Sequence, residues 1–272
     1  EEKAQEAVDV ARKASKDWYL LLQGTGSDLV SAVINTLRAL GFSSVIDVDE
    51  EAEKNGTDSS LREDIQIRDQ EPTLVIDVKG INGKPDDEDS RQAEKHKTMR
   101  MREWKTHKVQ GLTIVNHERH IPPAERDQQA YRKEIIANAV DTGLGLMTTW
   151  DLFQLCRNKE KLGWPNESVK AVFYRTGRIE PIPAHYVEIG KVVKTWEKAA
   201  GIVPSEELKV GSTVAIQTGD TFEELVINSM VVDDKSVQIA GTGDNVGIGC
   251  ESASKRFRVG QRVFAVKAPK LP

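Results

Sequence analysis

The chain has 272 residues, 38% of them hydrophobic and 30% charged, with a net charge of −5 at neutral pH. This length and apolar content suit one large or two ordinary domains with a sizeable core. The acidic balance excludes a generally basic nucleic-acid binder, so any contact with phosphates has to come from a local basic patch. No apolar run approaches the length of a membrane span, and no signal peptide is visible. Cys156 and Cys250 are far apart and suggest neither a disulfide framework nor a zinc site, so a cytoplasmic, reducing setting is expected, without a membrane partner.

Residues 1–17 read as a charged, Ala-rich helical segment with a thin apolar stripe. It reads as the tail of a longer helix, with the expectation that a further N-terminal region of the same protein precedes it. A helix follows, opening in Gly24-Thr-Gly-Ser-Asp28 and running through Leu29, Val33, Leu37 and Leu40. Ser27 or Asp28 can cap its start, and Gly41 terminates it. Ser43–Val48 reads as a strand, and the acidic stretch from Asp49 to Ser60 as an exposed loop. Two adjacent strands come next, Leu61–Arg68 and Thr73–Gly80. The polar stretch Asn82–Ser90 reads as a second loop, able to serve as a mobile flap. A basic helix from Arg91 to Lys108 should be anchored on the sheet by Met101 and Trp104. The apolar run Val109–Asn116 reads as a core strand, followed by a Pro122-Pro123 turn, another helix and the segment Leu144–Leu152.

Side chains alternate along a strand, which puts Asp77 and Lys79 on one face and Leu74, Ile76 and Val78 on the other. A hairpin can bring Asp64 beside that pair. Charges converging at the end of a buried sheet are costly unless a cation or substrate offsets them. A hard divalent ion suits carboxylate and carbonyl oxygens. Just beyond, the basic helix carries Arg91, Lys95, Lys97, Arg100 and Arg102, a cluster suited to a phosphate backbone. The alternative is a plain Asp77–Lys79 salt bridge on a half-exposed strand.

Asp64, followed by Asp77-Val78-Lys79, resembles the PD-(D/E)xK motif of the restriction-endonuclease-like nuclease superfamily. The order helix, strand, hairpin, helix, strand, helix, strand over roughly residues 18–160 also resembles that superfamily's core. The resemblance implies an α/β fold with a mixed sheet flanked by helices, and a metal-dependent nuclease acting on DNA. It implies that Asp64, Asp77 and the carbonyl of Val78 hold Mg2+ or Mn2+, and that Lys79 positions water and stabilises the phosphate. Gln92 matches a helix glutamine found in parts of the superfamily, with Arg91 nearby as a clamp. Many members place a glutamate on the first core helix. Here Val30 falls near that position, and Asp28 is the closest acid. A homodimer is compatible with the family, and a larger defence or DNA-processing protein would accommodate such a module.

Pro181-Ile-Pro183 marks a stiff linker, separating a first domain over residues 18–180 from a second over 186–268. The second shows short strands between Gly and Asp turns: Val187–Val193, Thr213–Ile216, Glu224–Val232, Ser236–Ile239, Val246–Gly249 and Arg262–Val266. This spacing predicts a small antiparallel β-barrel. The segments Leu208–Ile216, Ile239–Ile248 and Val259–Phe264 resemble the barrel second domain of translation GTPases of the elongation factor Tu type. Neither Gly24-Thr-Gly26 nor Gly241-Thr-Gly243 continues as a phosphate-binding loop. Lys255–Arg258 is expected to be an exposed loop and Cys156 a core residue; His117-Glu-Arg-His120 has a metal-like spacing, but it follows a strand, precedes Ile-Pro-Pro and lacks a second cluster, so a zinc site is not expected. A catalytically silent module that binds nucleic acid or a protein partner is the alternative function.

Overall fold

The computed structural model describes residues 16–57, 62–251, 253 and 257–268. The expected helix over residues 1–17 therefore lies almost wholly outside the described residues, as do Leu61, Lys255 and Arg256. The chain divides into two compact units. The first extends to Lys159 and takes in Val169–Pro181; the second comprises Glu160–Ser168 and the chain from Ile182 onward.

The first unit is built on a six-stranded sheet of β1 (Val45–Asp47), β2 (Ile65–Ile67), β3 (Thr73–Gly80), β4 (Val109–Asn116), β5 (Leu144–Thr148) and β6 (Gly177–Arg178), ordered as they occur in the chain. β1, β2 and β3 pair antiparallel, whereas β3 to β6 are parallel. Every residue of β4 and β5 is buried, the pattern of parallel strands covered on both faces. The parallel links need helical crossovers, supplied by α3 (Asp87–Trp104) between β3 and β4 and by α4 (Lys133–Thr142) between β4 and β5.

α1 (Gly26–Ala39) buries Leu29, Ala32, Val33, Thr36 and Leu37 at helical spacing, and Gly41 follows it at φ 105°. Its N-cap is Thr25, without a side-chain cap bond, rather than Ser27 or Asp28. Gly26 takes φ 59°, which turns the chain into the helix two residues before the earlier of the expected caps.

The acidic stretch after β1 is helical, not a loop: α2 spans Val48–Asn55. The Asp47 side chain accepts the Glu50 N–H, Asp49, Glu50 and Glu51 fill the first turn, and Gly56 closes the helix in the left-handed conformation. Acids at a helix N-terminus complement its dipole, so the charge that suggested a loop stabilises a helix. α3 likewise begins at Asp87, inside the expected flap. Asp86 accepts the Glu88 and Asp89 N–H groups while the Asp89 carboxylate receives the Asp86 N–H, a reciprocal capping box.

Met101 and Trp104, the expected anchors, are only partly buried, whereas Ala93 and His96 of α3 are fully buried. The helix backbone comes close to β4 at Gly111, where a Cβ would lie 3.1 Å from the Ala93 carbonyl. Gly111 pairs with Val75 and Thr113 with Asp77, so α3 covers the sheet face that carries Asp77.

The second unit contains an antiparallel sheet ordered β11 (Thr221–Val226), β10 (Thr213–Thr218), β16 (Arg262–Val266), β7 (Tyr186–Thr195), β8 (Ala199–Ile202), β15 (Val246–Gly249), β12 (Ser229–Val232) and β13 (Lys235–Val237). A separate pair joins β9 (Leu208–Lys209) to β14 (Ile239–Ala240). Among the described residues no pairing joins β11 to β13 at the two ends of this order. Ile189, Ile202, Val214, Leu225, Met230 and Ile248 lie in its core. The single strand expected over Glu224–Val232 is two, broken at Ile227-Asn228, where the backbone bonds Ser212 and Gly249 instead of a continuing ladder. Phe257 is buried rather than part of an exposed basic loop, while Arg258 is exposed.

Candidate metal and nucleic-acid site

β3 brings Asp77, Val78 and Lys79 to the C-terminal end of the parallel part of the sheet. Asp64 lies one step ahead of β2, where its N–H bonds the Ile76 carbonyl at 3.1 Å. Its carboxylate Oδ2 accepts the Val78 N–H at 2.6 Å, so the side chain continues the ladder that the backbone leaves. Asp64 thereby stands beside Asp77, its pKa pushed up to about 6 by burial and the Asp77 charge, against the Val78 N–H and Lys79.

Asp77 is 1% exposed, and its Oδ1 bonds His96 Nδ1 at 2.8 Å. Burial raises its pKa, the His96 bond and Lys79 oppose that rise, and the Glu63 charge adds to it. The other oxygen, Oδ2, is buried with no hydrogen-bond partner, as is Oγ1 of Thr113, its register neighbour on β4. An unpaired buried carboxylate oxygen is costly. Lys79 forms no ion pair among the described residues, so the plain Asp77–Lys79 salt bridge is not what holds this strand. Its charge is nonetheless felt at Asp64, Asp77 and Asp89.

Gln92 sits on α3 one turn before His96, half-buried on the same side. Arg91, Lys95 and Arg102 are exposed along one stripe of the helix. Two of the expected phosphate contacts are committed elsewhere. Lys97 donates to the Thr142 and Gly143 carbonyls at 2.8 and 3.3 Å, capping α4. Arg100 bonds the buried Glu63 at 2.7 Å and Glu103 at 2.9 Å. The basic cluster is therefore smaller than its sequence suggests.

Asp28 is exposed in the first turn of α1, and the further acid whose charge reaches Asp64 is Asp49 of α2. Among the described residues no group of three or more His, Cys, Asp or Glu side chains forms a ready metal-ligand set. The donors at hand are two carboxylates and backbone carbonyls, which suit an ion that retains several waters, as Mg2+ does. The unpartnered Asp77 oxygen and the raised pKa values of both acids fit such a cation, which would favour their ionised forms.

His96 and Glu63 are the residues that sequence reasoning missed. His96 was available as the residue one helical turn beyond Gln92. Glu63 carried no signal beyond standing next to Asp64. His117 is buried, its Nε2 bonds the Asp127 carbonyl at 3.1 Å, and burial lowers its pKa. It belongs to a turn, with Glu118 at φ 46°.

No protein-family model matches this chain, and no curated protein matches it. Among solved structures, similarity is found to the C-terminal domain of a Geobacillus thermoleovorans U32 peptidase, at 11% identity over 28% of this chain and 98% of that one, with a TM-score of 0.25. Elongation factor SelB from Methanococcus maripaludis matches at 11% identity over 70% of this chain and 41% of its own, TM-score 0.26. GDP-bound aIF5B from Aeropyrum pernix matches at 14% identity over 67% and 28%, TM-score 0.24. This chain thus spans less than half of either translation factor, and scores of this size fix neither its fold nor its activity. No helix among the described residues is long and apolar enough to cross a membrane.

Proposed function

We propose that the first unit is a restriction-endonuclease-like domain that hydrolyses phosphodiester bonds with Mg2+ or Mn2+, with DNA as substrate. The observation that carries this reading is the buried, unpartnered Oδ2 of Asp77, together with a desolvated Asp64 whose pKa the Asp77 charge helps to raise. Asp64, Asp77 and the Val78 carbonyl would hold the cation. When bound, it supplies a water of lowered pKa and polarises the scissile phosphate. Lys79, without an ion pair among the described residues, orients the attacking water and stabilises charge building on the phosphate oxygens. Gln92 orients the substrate, while Arg91, Lys95 and Arg102 neutralise neighbouring phosphates. The second unit is read as a translation-factor-like barrel whose sheet closes, and the whole as part of a larger cytoplasmic defence or DNA-processing protein.

The test is cleavage of single-stranded, duplex and branched DNA, and of RNA, with Mg2+ or Mn2+, comparing the native chain with Asp77→Ala. Metal-dependent cleavage abolished by the substitution supports the reading; cleavage that survives it overturns the assignment. The second reading is a silent nuclease-fold module that binds nucleic acid. It is favoured by the shortage of converging metal ligands. It predicts salt-dependent binding without cleavage.

A further inference from the structure

We propose that His96 is a positioning residue of the metal centre, holding Asp77 so that one carboxylate oxygen is reserved for the cation. The inference rests on the metal-site reading above and assigns a role to a side chain which that reading does not use.

The geometry separates the two oxygens of Asp77. Oδ1 is occupied by His96 Nδ1 at 2.8 Å, and Oδ2 has no partner although both side chains are almost fully buried. An ionised carboxylate can only accept, so Nδ1 carries the hydrogen of this bond. A rotatable carboxylate with two free oxygens can bind a cation through either or both. One oxygen tied to a fixed donor leaves a single donor atom in a single orientation, as ligand-supporting hydrogen bonds do in metal sites.

The donor is itself fixed by the helix that carries it. α3 lies against the sheet through Ala93 and His96, its backbone close over Gly111. Its start is locked by the Asp86–Asp89 capping box. Beyond His96, Lys97 ties it to the end of α4, and Arg100 ties it to Glu63, next to Asp64. The imidazole is thus held from the sheet, from α4 and from the strand that bears the other proposed ligand. Gln92, on the same side one turn earlier, is set by the same helix.

The experiment is Mn2+ binding to the full chain, read by electron paramagnetic resonance or calorimetry. It compares native protein with Asp77→Ala, His96→Ala and His96→Asn, each confirmed folded by circular dichroism and thermal unfolding. His96→Ala should weaken Mn2+ binding about 10–100-fold. His96→Asn keeps an N–H donor near the place of Nδ1 and should recover most of that loss. A merely structural histidine would lower the unfolding temperature in both variants without a rescue in affinity. If native protein binds Mn2+, Asp77→Ala does not, and His96→Ala binds as well as native, the inference is overturned while the metal site stands. If native and Asp77→Ala behave alike, the metal site and the inference fall together.

Discussion

The Asp64 carboxylate accepts the backbone N–H of Val78 at 2.6 Å, so the residue between Asp77 and Lys79 anchors the acid that stands beside them. This one bond joins the two halves of the motif across the β2–β3 hairpin. The bond itself favours the ionised form, but burial outweighs it and pushes the Asp64 pKa up to about 6.

A pH dependence follows from that shift. The folded-state pKa of Asp64 is raised above its ordinary value of 3.8. Its contribution to stability is therefore fully present below about pH 4 and is lost as pH rises through about 6. Without added metal, Asp64→Asn should be more stable than the native chain at pH 7.5, by about 2–3 kcal/mol. The difference should vanish near pH 4, because the native side chain is then neutral too. Urea unfolding at the two pH values measures it. Equal stabilities at pH 7.5 would show that Asp64 is not desolvated.

The Glu63–Arg100 pair makes a second prediction. Glu63 is 1% exposed, and its Oε2 already lacks a partner. Arg100→Ala would leave this buried carboxylate without its cation, with only the Gln66 amide still donating to it, at a cost of about 3 kcal/mol in chemical unfolding. Alanine at the exposed Arg91, Lys95 or Arg102 should change stability by less than about 0.5 kcal/mol.

Those same exposed cations should carry the salt dependence of nucleic-acid binding. Each of Arg91, Lys95 and Arg102 that contacts a phosphate should, when replaced by alanine, weaken binding across all sequences. It should also lower the slope of log affinity against log salt by about one. Fluorescence anisotropy at several salt concentrations checks this. Unchanged slopes in all three variants would place the nucleic-acid surface elsewhere.

Gly80 closes β3 against the turn before α1. A Cβ there would lie 2.8 Å from the Gly24 carbonyl and 2.9 Å from the Thr25 Cα, both backbone atoms that cannot swing away. Gly80→Ala should destabilise the chain by about 1–3 kcal/mol. Gly83→Ala, three residues on and with open space around it, is the control and should be close to neutral. Thermal unfolding of both variants reads the contrast.

The centre of the first sheet is legible in the sequence because β3 and β4 are long apolar runs. β3 and β4 were found with their ends correct, since both faces are covered and hydrophobicity alone marks them. α2 and the start of α3 were not found, because acidic residues signal a solvated loop and a helix N-terminus alike. What separates the two is local capping by Asp47 and Asp86, which composition does not reveal. β8 was missed because Ala-Ala-Gly-Ile has little strand character of its own and is held by its neighbours β7 and β15.

At the candidate site, Asp64, Asp77, Val78 and Lys79 could be named from their pattern along two strands. The fates of Lys97 and Arg100 could not, because their partners at Thr142, Gly143 and Glu63 are distant in sequence or carry no motif. The same holds for His96. Helical spacing places it one turn from Gln92, but only the covering of β3 by α3 joins it to Asp77.

The measurement that tests the central claim most directly is Mg2+-dependent cleavage of labelled duplex DNA by native protein and Lys79→Ala, with Mn2+ binding followed in parallel. Native protein should cleave, and Lys79→Ala should retain Mn2+ while losing cleavage, because the lysine amino group acts on water and phosphate rather than on the ion. Native protein that neither binds Mn2+ nor cleaves, or a Lys79→Ala variant that cleaves like the native chain, would contradict that claim.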